Sequence, residues 1–443
     1  RDCLLSRGLG DVYKRQSLNI AASVLLFLAA ILAAVVANSS LSPVYQDFLL
    51  QELHLRIGNF NLFSHGGHPL KMIEFINDCL MTVFFLAVGL EIKRELLVGE
   101  LSSVRKAALP FIAACGGMVV PVVIYALSVA SSTPETRGMA IPMATDIAFS
   151  LGVLSLLGKR VPLSLKIFLT AFAVVDDIGG ILVIALFYSA DVAYGYLIAA
   201  AVLYVFLYYM GKFGVTQKIF FLFFGVIIWY LFLQSGIHST ISGVILAFVI
   251  PARPRLDAGK YIERIRDIIG EFPVSKSDNI VLTNAQIATL KQVERASDYV
   301  ISPLQSLEDN LHGAVSFVIL PLFAFANAGV VFSGSGSIVG DVSIAVAAGL
   351  LLGKFLGIYL FTWLAVKSGV ALMPAGMNWK NIAGVSLLGG IGFTVSLFIA
   401  NLSFADEYPE LLNQAKFGVL VGTVLAGVLG YVVLNWVLPE REK

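Results

Sequence analysis

Residues 163–188 read LSLKIFLTAFAVVDDIGGILVIALFY, an apolar run interrupted near its middle by two adjacent acids, Asp176 and Asp177. About 20 consecutive apolar residues suffice for a helix to cross the hydrocarbon core of a bilayer. Similar runs recur along the 443-residue chain, which is 58% hydrophobic and only 13% charged. A soluble protein has roughly a quarter of its residues charged. The composition therefore predicts an all-α integral membrane protein and excludes a soluble enzyme, a nucleic-acid-binding protein and a disordered chain.

Twelve apolar runs are predicted to be membrane spans. A segment inside a bilayer must satisfy its own backbone hydrogen bonds, so each span is expected to be a helix. The predicted spans are Leu18–Ala37, Ile73–Leu90, Ala107–Ala130, Ala140–Leu157, Leu163–Tyr188, Tyr196–Met210, Ile219–Leu233, Ser239–Ile250, Ala314–Phe332, Ile344–Val366, Ile382–Leu402 and Phe417–Val437.

Lysine and arginine are concentrated in alternate loops between these runs. Loops rich in Lys and Arg stay on the cytoplasmic side of a membrane. The alternation therefore predicts that both termini are cytoplasmic, as an even number of spans requires. The basic segments are 93–106, 159–166, 212–218, 253–260, 367–380 and 441–443, and the segments with few basic residues are 131–138, 189–195 and 333–341.

Two segments do not read as membrane. Residues 1–16 are charged, lack an initiating Met and show no hydrophobic periodicity, so we expect a non-native or disordered leader. Residues 256–311 are polar with amphipathic stretches, which predicts a cytoplasmic insert with two or three short helices; a regulatory or partner-binding role is the alternative. The membrane domain is then 17–255, with helices 1–8, and 312–443, with helices 9–12.

Residues 54–62, HLRIGNFNL, alternate apolar and polar side chains around Gly58-Asn59. Such alternation around a Gly-Asn pair favours a β-hairpin. It lies in the loop opposite the cytoplasm. Because a two-stranded hairpin alone is marginal in water, we expect it to pair with another subunit.

Ionisable residues within the spans are functional candidates, because each costs about 2.5–3.5 kcal/mol at the bilayer centre. Asp176 and Asp177 are neighbours on a helix of 3.6 residues per turn, so their side chains point roughly 100° apart. One carboxylate can then face a partner while the other faces a cavity. Burial and mutual repulsion both favour uptake of a proton or a cation by this coupled pair. The alternative is a pair held by structural hydrogen bonds.

Lys354 lies about midway along its span, in LLGKFLG at residues 351–357. Its ammonium cannot easily reach water from there, and a buried lysine needs a counter-ion or loses its proton. The mid-membrane acids are its natural partners. The sequence leaves open a purely structural ion pair, a role in proton transfer, or both.

Two spans show signs of a break at corresponding places in the two halves of the chain. Pro142 precedes Thr145 and Asp146, and proline frees a backbone carbonyl and tends to break a helix. A half-helix N-terminus favours a negative charge such as that of Asp146, and Thr145 adds a hydroxyl oxygen. The later run LGGIGFT, around Gly392, is weakened by glycine. Paired interrupted helices indicate the binding site of a transporter.

Other charged groups lie nearer the ends of the spans. Asp78 reads first as a solvated interfacial acid, and we keep it as a secondary candidate for the site. His238 follows Ser235-Gly236-Ile237, where it is either a cap or a pH-responsive group. The cytoplasmic end of the Asp78 span carries charges that are either solvated or line a cation funnel: Glu91, Lys93, Arg94 and Glu95.

The residue chemistry points to a hard cation. Carboxylate, hydroxyl and carbonyl oxygens suit such ions, and no Cys or His cluster supports a soft metal. No nucleotide-binding motif is found, so we expect no cofactor and an ion gradient as the energy source. The net charge of +1 suggests no polyanionic partner. Carboxylates that hold either protons or a small cation can exchange the two.

At these residues the chain resembles the NhaA-type sodium/proton antiporter family, which is itself among the transporters with paired broken helices. The resemblance runs from about Leu18 to about Val437. The matching segments are GLEIKREL (89–96), ATDIAF (144–149), LKIFLTAFAVVDDIG (165–179), SGIHSTISGV (235–244), LPLFAFANAGV (320–330), LLGKFLGI (351–358) and GGIGFTVSLFIANLSF (389–404).

The resemblance implies twelve helices with inverted repeats and two broken helices that cross near the midplane. It implies an electrogenic exchange of cytoplasmic Na⁺ or Li⁺ for a larger number of external protons, in a bacterial inner membrane. Asp177 would bind the cation, with Thr145 nearby, and Asp176 would pair with Lys354 and share in proton handling. Asp146 and Lys354 would offset the half-helix dipoles. The hairpin at 54–62 would form a homodimer contact. Residues matching positions tied to pH regulation are Glu91, Arg94, Glu95, His238 and Glu308.

The chain departs from the family pattern in three places. The insert is longer than the core pattern needs. Gln305 and Ser306 stand where basic residues are expected before Glu308, and Gln234 replaces an expected Lys. We therefore expect an intact cation site with an altered pH response.

Two competing hypotheses were weighed against an antiporter. An intramembrane aspartyl protease also uses two buried carboxylates, but these come from two different helices, and Lys354 would have no catalytic role. A pH-gated cation channel would pass sodium without proton coupling, whereas paired broken helices favour alternating access.

Overall fold

The computed structural model describes residues 2–57, 60–65, 68–129, 134–188, 192–253, 258–270, 272, 283–332, 337–405 and 407–439. Nearly all the regular structure in these ranges is helical. The α-helices are α1 (Asp2–Ala37), α2 (Ser42–Leu50), α3 (Met72–Phe75), α4 (Met81–Val98), α5 (Val104–Ser128), α6 (Ile147–Leu156), α7 (Leu163–Phe187), α8 (Tyr194–Lys212), α9 (Lys218–Ser235), α10 (Thr240–Val249), α11 (Ala258–Gly270), α12 (Asn284–Val300), α13 (Pro303–Ala314), α14 (Leu320–Asn327), α15 (Asp341–Ala348), α16 (Lys354–Lys367), α17 (Trp379–Leu388), α18 (Phe393–Phe404) and α19 (Pro409–Val437).

Short turns of other helix types complete these elements. Three five-residue π-helical turns, at Ile76–Leu80, Val315–Ile319 and Gly349–Gly353, join α3 to α4, α13 to α14 and α15 to α16. The 3₁₀ helices are Glu100–Ser102, Pro134–Met143 and Gly158–Arg160.

Within the described ranges, nine helices are long and apolar enough to cross a membrane. Two further pairs, each bent by 44° at a short break, bring the number to 11 if each pair forms one span. Their outward faces are apolar: on α8, Ile198 and Val202 are 64% and 62% exposed. Exposed side chains of this kind suit a lipid environment.

The span predicted at Ala314–Phe332 begins earlier in the structure, at Pro303, and runs to Asn327. Ser302 caps it by accepting a hydrogen bond from the N–H of Gln305, at 3.2 Å, and Pro303 occupies the first turn, where proline is favoured. The last part of the predicted insert, 303–311, therefore belongs to this helix. Because the first turns of this helix are polar, its start could not be recognised as part of an apolar run.

The N-terminal helix also differs from expectation. Helix α1 begins at Asp2, well before the predicted start of the first span at Leu18. That residues 1–16 form a non-native or disordered leader stays a prediction. Helix α2 was not predicted at all. Its Tyr45 hydroxyl donates to the carbonyl of Phe325, at 2.6 Å, and so ties α2 to the C-terminal end of α14.

Two short antiparallel pairs lie between α2 and α3. Strand β1 (Arg56–Ile57) pairs with β2 (Phe60–Asn61), within the range predicted as a hairpin. Strand β3 (Ser64–His65) pairs with β4 (His68–Pro69), which the sequence did not suggest. The Gln234 side chain donates to the carbonyl of Ser64, at 2.6 Å, and connects this region to α9.

Glycines bring α5 and α16 into backbone contact. A Cβ added at Gly116 would lie 2.3 Å from the carbonyl oxygen of Gly357, and one at Gly357 would lie 2.1 Å from that of Gly116. Because neither position can carry a side chain, the two helices approach closely there. Lys354 lies one turn before Gly357 and is fully buried.

Candidate cation-binding site

The two bent helix pairs cross at their breaks. The chain is irregular at 144–146, between Pro134–Met143 and α6, and at 389–392, between α17 and α18. The N–H of Asp146 donates to the carbonyl of Ile391, at 2.7 Å, and the Thr145 hydroxyl donates to the carbonyl of Gly389, at 2.8 Å. Gly392 permits the close approach, since a Cβ there would meet the Ala144 carbonyl oxygen at 3.1 Å.

Asp146 caps both half-helices that begin at the crossing. Its carboxylate accepts the N–H of Phe149 in α6, at 3.0 Å. It also accepts the N–H of Thr394 in α18, at 3.1 Å, and the Thr394 hydroxyl, at 2.5 Å. Helix N-termini carry partial positive charge and free N–H groups. One buried carboxylate thus lies at two N-termini, a position from which it can act on the dipoles of both half-helices.

The C-terminal ends of the two facing half-helices are capped reciprocally. Ser150 in α6 donates to the carbonyl of Leu388, at 3.0 Å, and Ser396 in α18 donates to the carbonyl of Ile141, at 2.7 Å. Each serine lies four residues after its break, in DIAFS and GFTVS. Ser150, Ser396 and Thr394 were not predicted as site residues, although a hydroxyl at the same distance from both breaks could have indicated the two serines.

Lys354 forms an ion pair with Asp176. Its ammonium donates to Oδ2 of Asp176 at 2.6 Å, and neither side chain is exposed. Oδ1 of Asp176 has no hydrogen-bond partner among the described residues, and Thr145 lies beside this carboxylate. Asp176 is therefore the mid-membrane acid that pairs with Lys354.

Asp177 has different surroundings from Asp176. It is 7% exposed, against 1% for Asp176, and no hydrogen bond to its carboxylate is found within the described ranges. The charged groups near enough to influence it are three acids, Asp176, Glu91 and Asp146, and one base, Lys354. Acids outnumber bases among these groups, and protons or a small cation can neutralise those that are ionised.

No group of three or more His, Cys, Asp or Glu side chains arranged to hold a resident metal ion is found in the described part of the chain. A transported ion needs a weaker and more open site than a resident one. The carboxylates of Asp176 and Asp177, the hydroxyl of Thr145 beside Asp176 and the carbonyls of the crossing offer hard oxygen ligands of that kind.

A second group of charges lies at the end of α4 away from Asp78. Arg94 donates to Glu308 of α13 at 2.9 Å and lies 3.2 Å from Glu95. The side chains of Arg94 and Glu308 are 35% and 21% exposed. Glu91 lies on the same helix, one turn before Arg94 and Glu95. The structure thus brings together four of the five residues that the resemblance ties to pH regulation.

The fifth, His238, lies at the opposite end of α4, beside Asp78. Its Nε2 is 3.5 Å from Oδ1 of Asp78, and its Nδ1 is 2.8 Å from the Thr240 hydroxyl. Ser239 and Trp229 donate to the carbonyl of Asp78 as well. Asp78 lies in the π-helical turn and its side chain is only 22% exposed. It is therefore a partnered, half-buried acid rather than a solvated one.

The departures from the family pattern have local partners. The hydroxyl of Ser306 accepts a hydrogen bond from Lys218 at 2.7 Å, and the side chain of Gln305 lies 3.1 Å from Ser302. A lysine from α9 thus contacts the helix at Ser306, two residues before Glu308.

Known proteins match nearly the whole length of the chain. The family model described as Na⁺/H⁺ antiporter 1 matches residues 15–434. A protein named Na(+)/H(+) antiporter NhaA from Bacteroides fragilis strain YCH46 is 76% identical over 426 residues, covering 96% of this chain and 98% of that protein. Relatives of the same name are 74% identical in Bacteroides thetaiotaomicron, over 96% of this chain and 97% of the relative, and 48% identical in Porphyromonas gingivalis strain W83, over 94% and 93%.

These matches cover both halves of the membrane region and the crossing. With its many apolar helices, the chain is a multi-pass membrane protein, and the sequence resemblance is confirmed. It belongs to the Na⁺/H⁺ antiporter 1 family, whose members are transporters rather than enzymes.

Proposed function

We propose that this protein exchanges cytoplasmic Na⁺, or Li⁺, for external H⁺ by alternating access, and so serves pH and sodium homeostasis. The observation that carries the proposal is the contrast between two adjacent acids. Asp176 has its charge balanced by Lys354 at 2.6 Å, whereas Asp177 has no hydrogen-bond partner in the described ranges. A carboxylate left free within an otherwise paired site is suited to an exchangeable ligand.

In this proposal Asp177 is the carboxylate for which sodium and protons compete. A proton leaves Asp177 when Na⁺ binds, and Thr145 lies near the ion. Asp176 and Lys354 form the second proton-handling pair, because their ion pair can open and the two groups can share a proton. More than one proton then enters for each sodium ion that leaves, and the exchange carries net charge.

The crossing supports alternating access between two related halves. The reciprocal contacts of Ser150 and Ser396, each four residues after a break, are what two inverted repeats predict. We propose twelve membrane helices in all, with each bent pair as one span and the short α10 as another. A site at the junction of two repeats is reached from either side when one repeat rocks against the other.

The loops and helix ends are proposed to determine the orientation in the membrane, the response to pH and the dimer contact. We propose an inner-membrane location with both termini cytoplasmic, from the alternation of basic loops. Glu91, Arg94, Glu95 and Glu308 then form a cytoplasmic group that responds to pH, and His238 with Asp78 a group on the other side. We also propose that the 54–62 hairpin forms a homodimer contact.

Everted vesicles from an antiporter-deficient host test the exchange. Sodium is added to vesicles that hold a proton gradient, and the recovery of a pH-sensitive dye is followed across pH for wild type and Asp177→Asn. We expect recovery in wild type alone. No recovery at any pH, with the protein shown to be in the membrane, would refute exchange. Sodium uptake without proton movement would instead indicate a channel.

A further inference from the structure

The short helix α10 ends with carbonyl groups that its own backbone cannot satisfy. The N–H of Ile250 bonds to the carbonyl of Leu246. The next carbonyl, that of Ala247, would need the N–H of residue 251, but Pro251 has none. The last carbonyls of any helix lack intrahelical partners and carry partial negative charge. A donor is therefore needed at this end of α10.

Lys93 of α4 supplies that donor. Its ammonium donates to the carbonyl of Phe248 at 2.7 Å and also contacts the carbonyls of Ala247, at 3.4 Å, and Ile250. A lysine has three N–H groups and no acceptor, so three carbonyls match its capacity. A cation at a helix C-terminus also interacts favourably with the helix dipole.

The packing of α4 on α10 brings Lys93 to this position. Gly89 lies one turn before Lys93 on the same face of α4, and a Cβ there would lie 2.8 Å from the Cβ of Ala247. Gly243 makes a similar contact, because its Cβ would lie 2.4 Å from the carbonyl oxygen of Thr82. The two helices touch closely along this face, and the cap by Lys93 closes the contact at one end.

We propose that Lys93 is a positioning residue for cation entry, a role that rests on the proposed function. It fixes the end of α10 to the segment of α4 that carries Glu91 and Arg94, and so holds the charged group at this end of α4 in place. Because its charge faces helix carbonyls that carry partial negative charge, part of its repulsion on an entering sodium ion is offset.

This role and that of a free surface lysine predict opposite changes. A free ammonium at a cation entrance repels Na⁺, so its removal would lower the KM for sodium. Removal of a cap loosens α10 from α4, displaces Glu91 and Arg94, and raises the KM for sodium with a smaller effect on kcat. Arginine keeps the charge and several N–H donors, so Lys93→Arg should restore most of the wild-type behaviour.

Three variants of Lys93 (Arg, Gln and Met) are compared with Lys212→Met, which removes an exposed lysine from the last turn of α8. Amide hydrogen exchange of residues 247–250 is measured on each purified full-length protein. KM and kcat for sodium are measured separately, in everted vesicles. We expect exchange of these amides to rise roughly 2- to 30-fold in Lys93→Met, the range for a charge at a helix C-terminus. Lys93→Gln should be intermediate, and Lys93→Arg and Lys212→Met close to wild type.

Unchanged amide exchange in Lys93→Met, or a lower KM for sodium, would overturn the proposal. The hydrogen-exchange measurement does not depend on transport. If wild type shows no sodium-dependent exchange, the proposed function fails while the cap is still tested. If Lys93→Met does not fold, Lys93→Gln against Lys93→Arg gives the same comparison.

Discussion

The cation-binding site beside the crossing and the group around Arg94 each contain an ion pair. The two pairs are of similar length, but their surroundings differ. Lys354 and Asp176 are 2.6 Å apart with no side-chain exposure, whereas Arg94 and Glu308 are 2.9 Å apart and 35% and 21% exposed. In water-excluded surroundings a charge without its partner is costly. Near water the same loss is largely screened. Burial rather than distance therefore decides which pair holds the molecule together.

The largest effect is expected where burial is complete. Lys354→Ala leaves Asp176 without its counter-ion and should destabilise the protein by about 3–5 kcal/mol. Thermal unfolding in detergent measures the loss. The double variant Lys354→Ala with Asp176→Asn removes both charges and should recover part of it. An unchanged unfolding temperature in Lys354→Ala would show that the pair contributes nothing to stability.

The next effect concerns the shared cap at the crossing. Asp146→Ala removes the acceptor for two half-helix N-termini, each worth about 1 kcal/mol, so a loss of about 2 kcal/mol is expected. Asp146→Asn keeps one side-chain oxygen and should cost less. The unfolding temperatures of the two variants, measured side by side, give this order. Equal losses would mean that the negative charge, rather than the capping bonds, is what matters.

A smaller effect tests the symmetry between the two halves. Ser150→Ala and Ser396→Ala each remove one buried hydrogen bond to a helix carbonyl, and each should cost about 1 kcal/mol. Because the two contacts are reciprocal, the two losses should agree closely. The comparison uses thermal unfolding under identical conditions. A clear loss from only one of the variants would contradict the matched roles.

The smallest effect is expected at the pair that is only half-buried. Arg94→Gln should change the free energy of unfolding by at most about 1 kcal/mol, and less at high salt. Its pH profile of exchange should shift more than its stability, because Arg94 lies among Glu91, Glu95 and Glu308. Parallel measurements of unfolding and dye recovery separate the two effects. A stability loss as large as that of Lys354→Ala would erase the contrast between the regions.

Much of this contrast could be predicted from the sequence. Charges inside apolar runs are rare and expensive, so Asp176, Asp177 and Lys354 stood out at once. Pro142 and the glycines before Thr394 marked both breaks. These signals are local. Each reflects a free-energy cost of placing a charge or a helix break inside a membrane, whatever the residue contacts in the folded protein.

The contacts that complete the site could not be predicted in the same way. Ser150 and Ser396 are ordinary helix residues until the other half of the chain supplies a carbonyl. The cap of α10 by Lys93 depends on the approach that Gly89 allows, and the sequence predicted Lys93 only as a basic loop residue, either solvated or lining a cation funnel. The start of α13 at Pro303 was missed because polar residues in its first turns pack against α4 and α9 rather than lipid.

We propose that sodium and a proton compete for Asp177, and proton release on sodium binding measures this competition. Purified protein in weakly buffered detergent solution is mixed with NaCl, and the pH change is followed for wild type and Asp177→Asn, with choline chloride as the control. We expect wild type to release protons when NaCl is added but not when choline chloride is added. Asp177→Asn should release none in either case. Undiminished sodium-dependent proton release from Asp177→Asn would contradict this proposal.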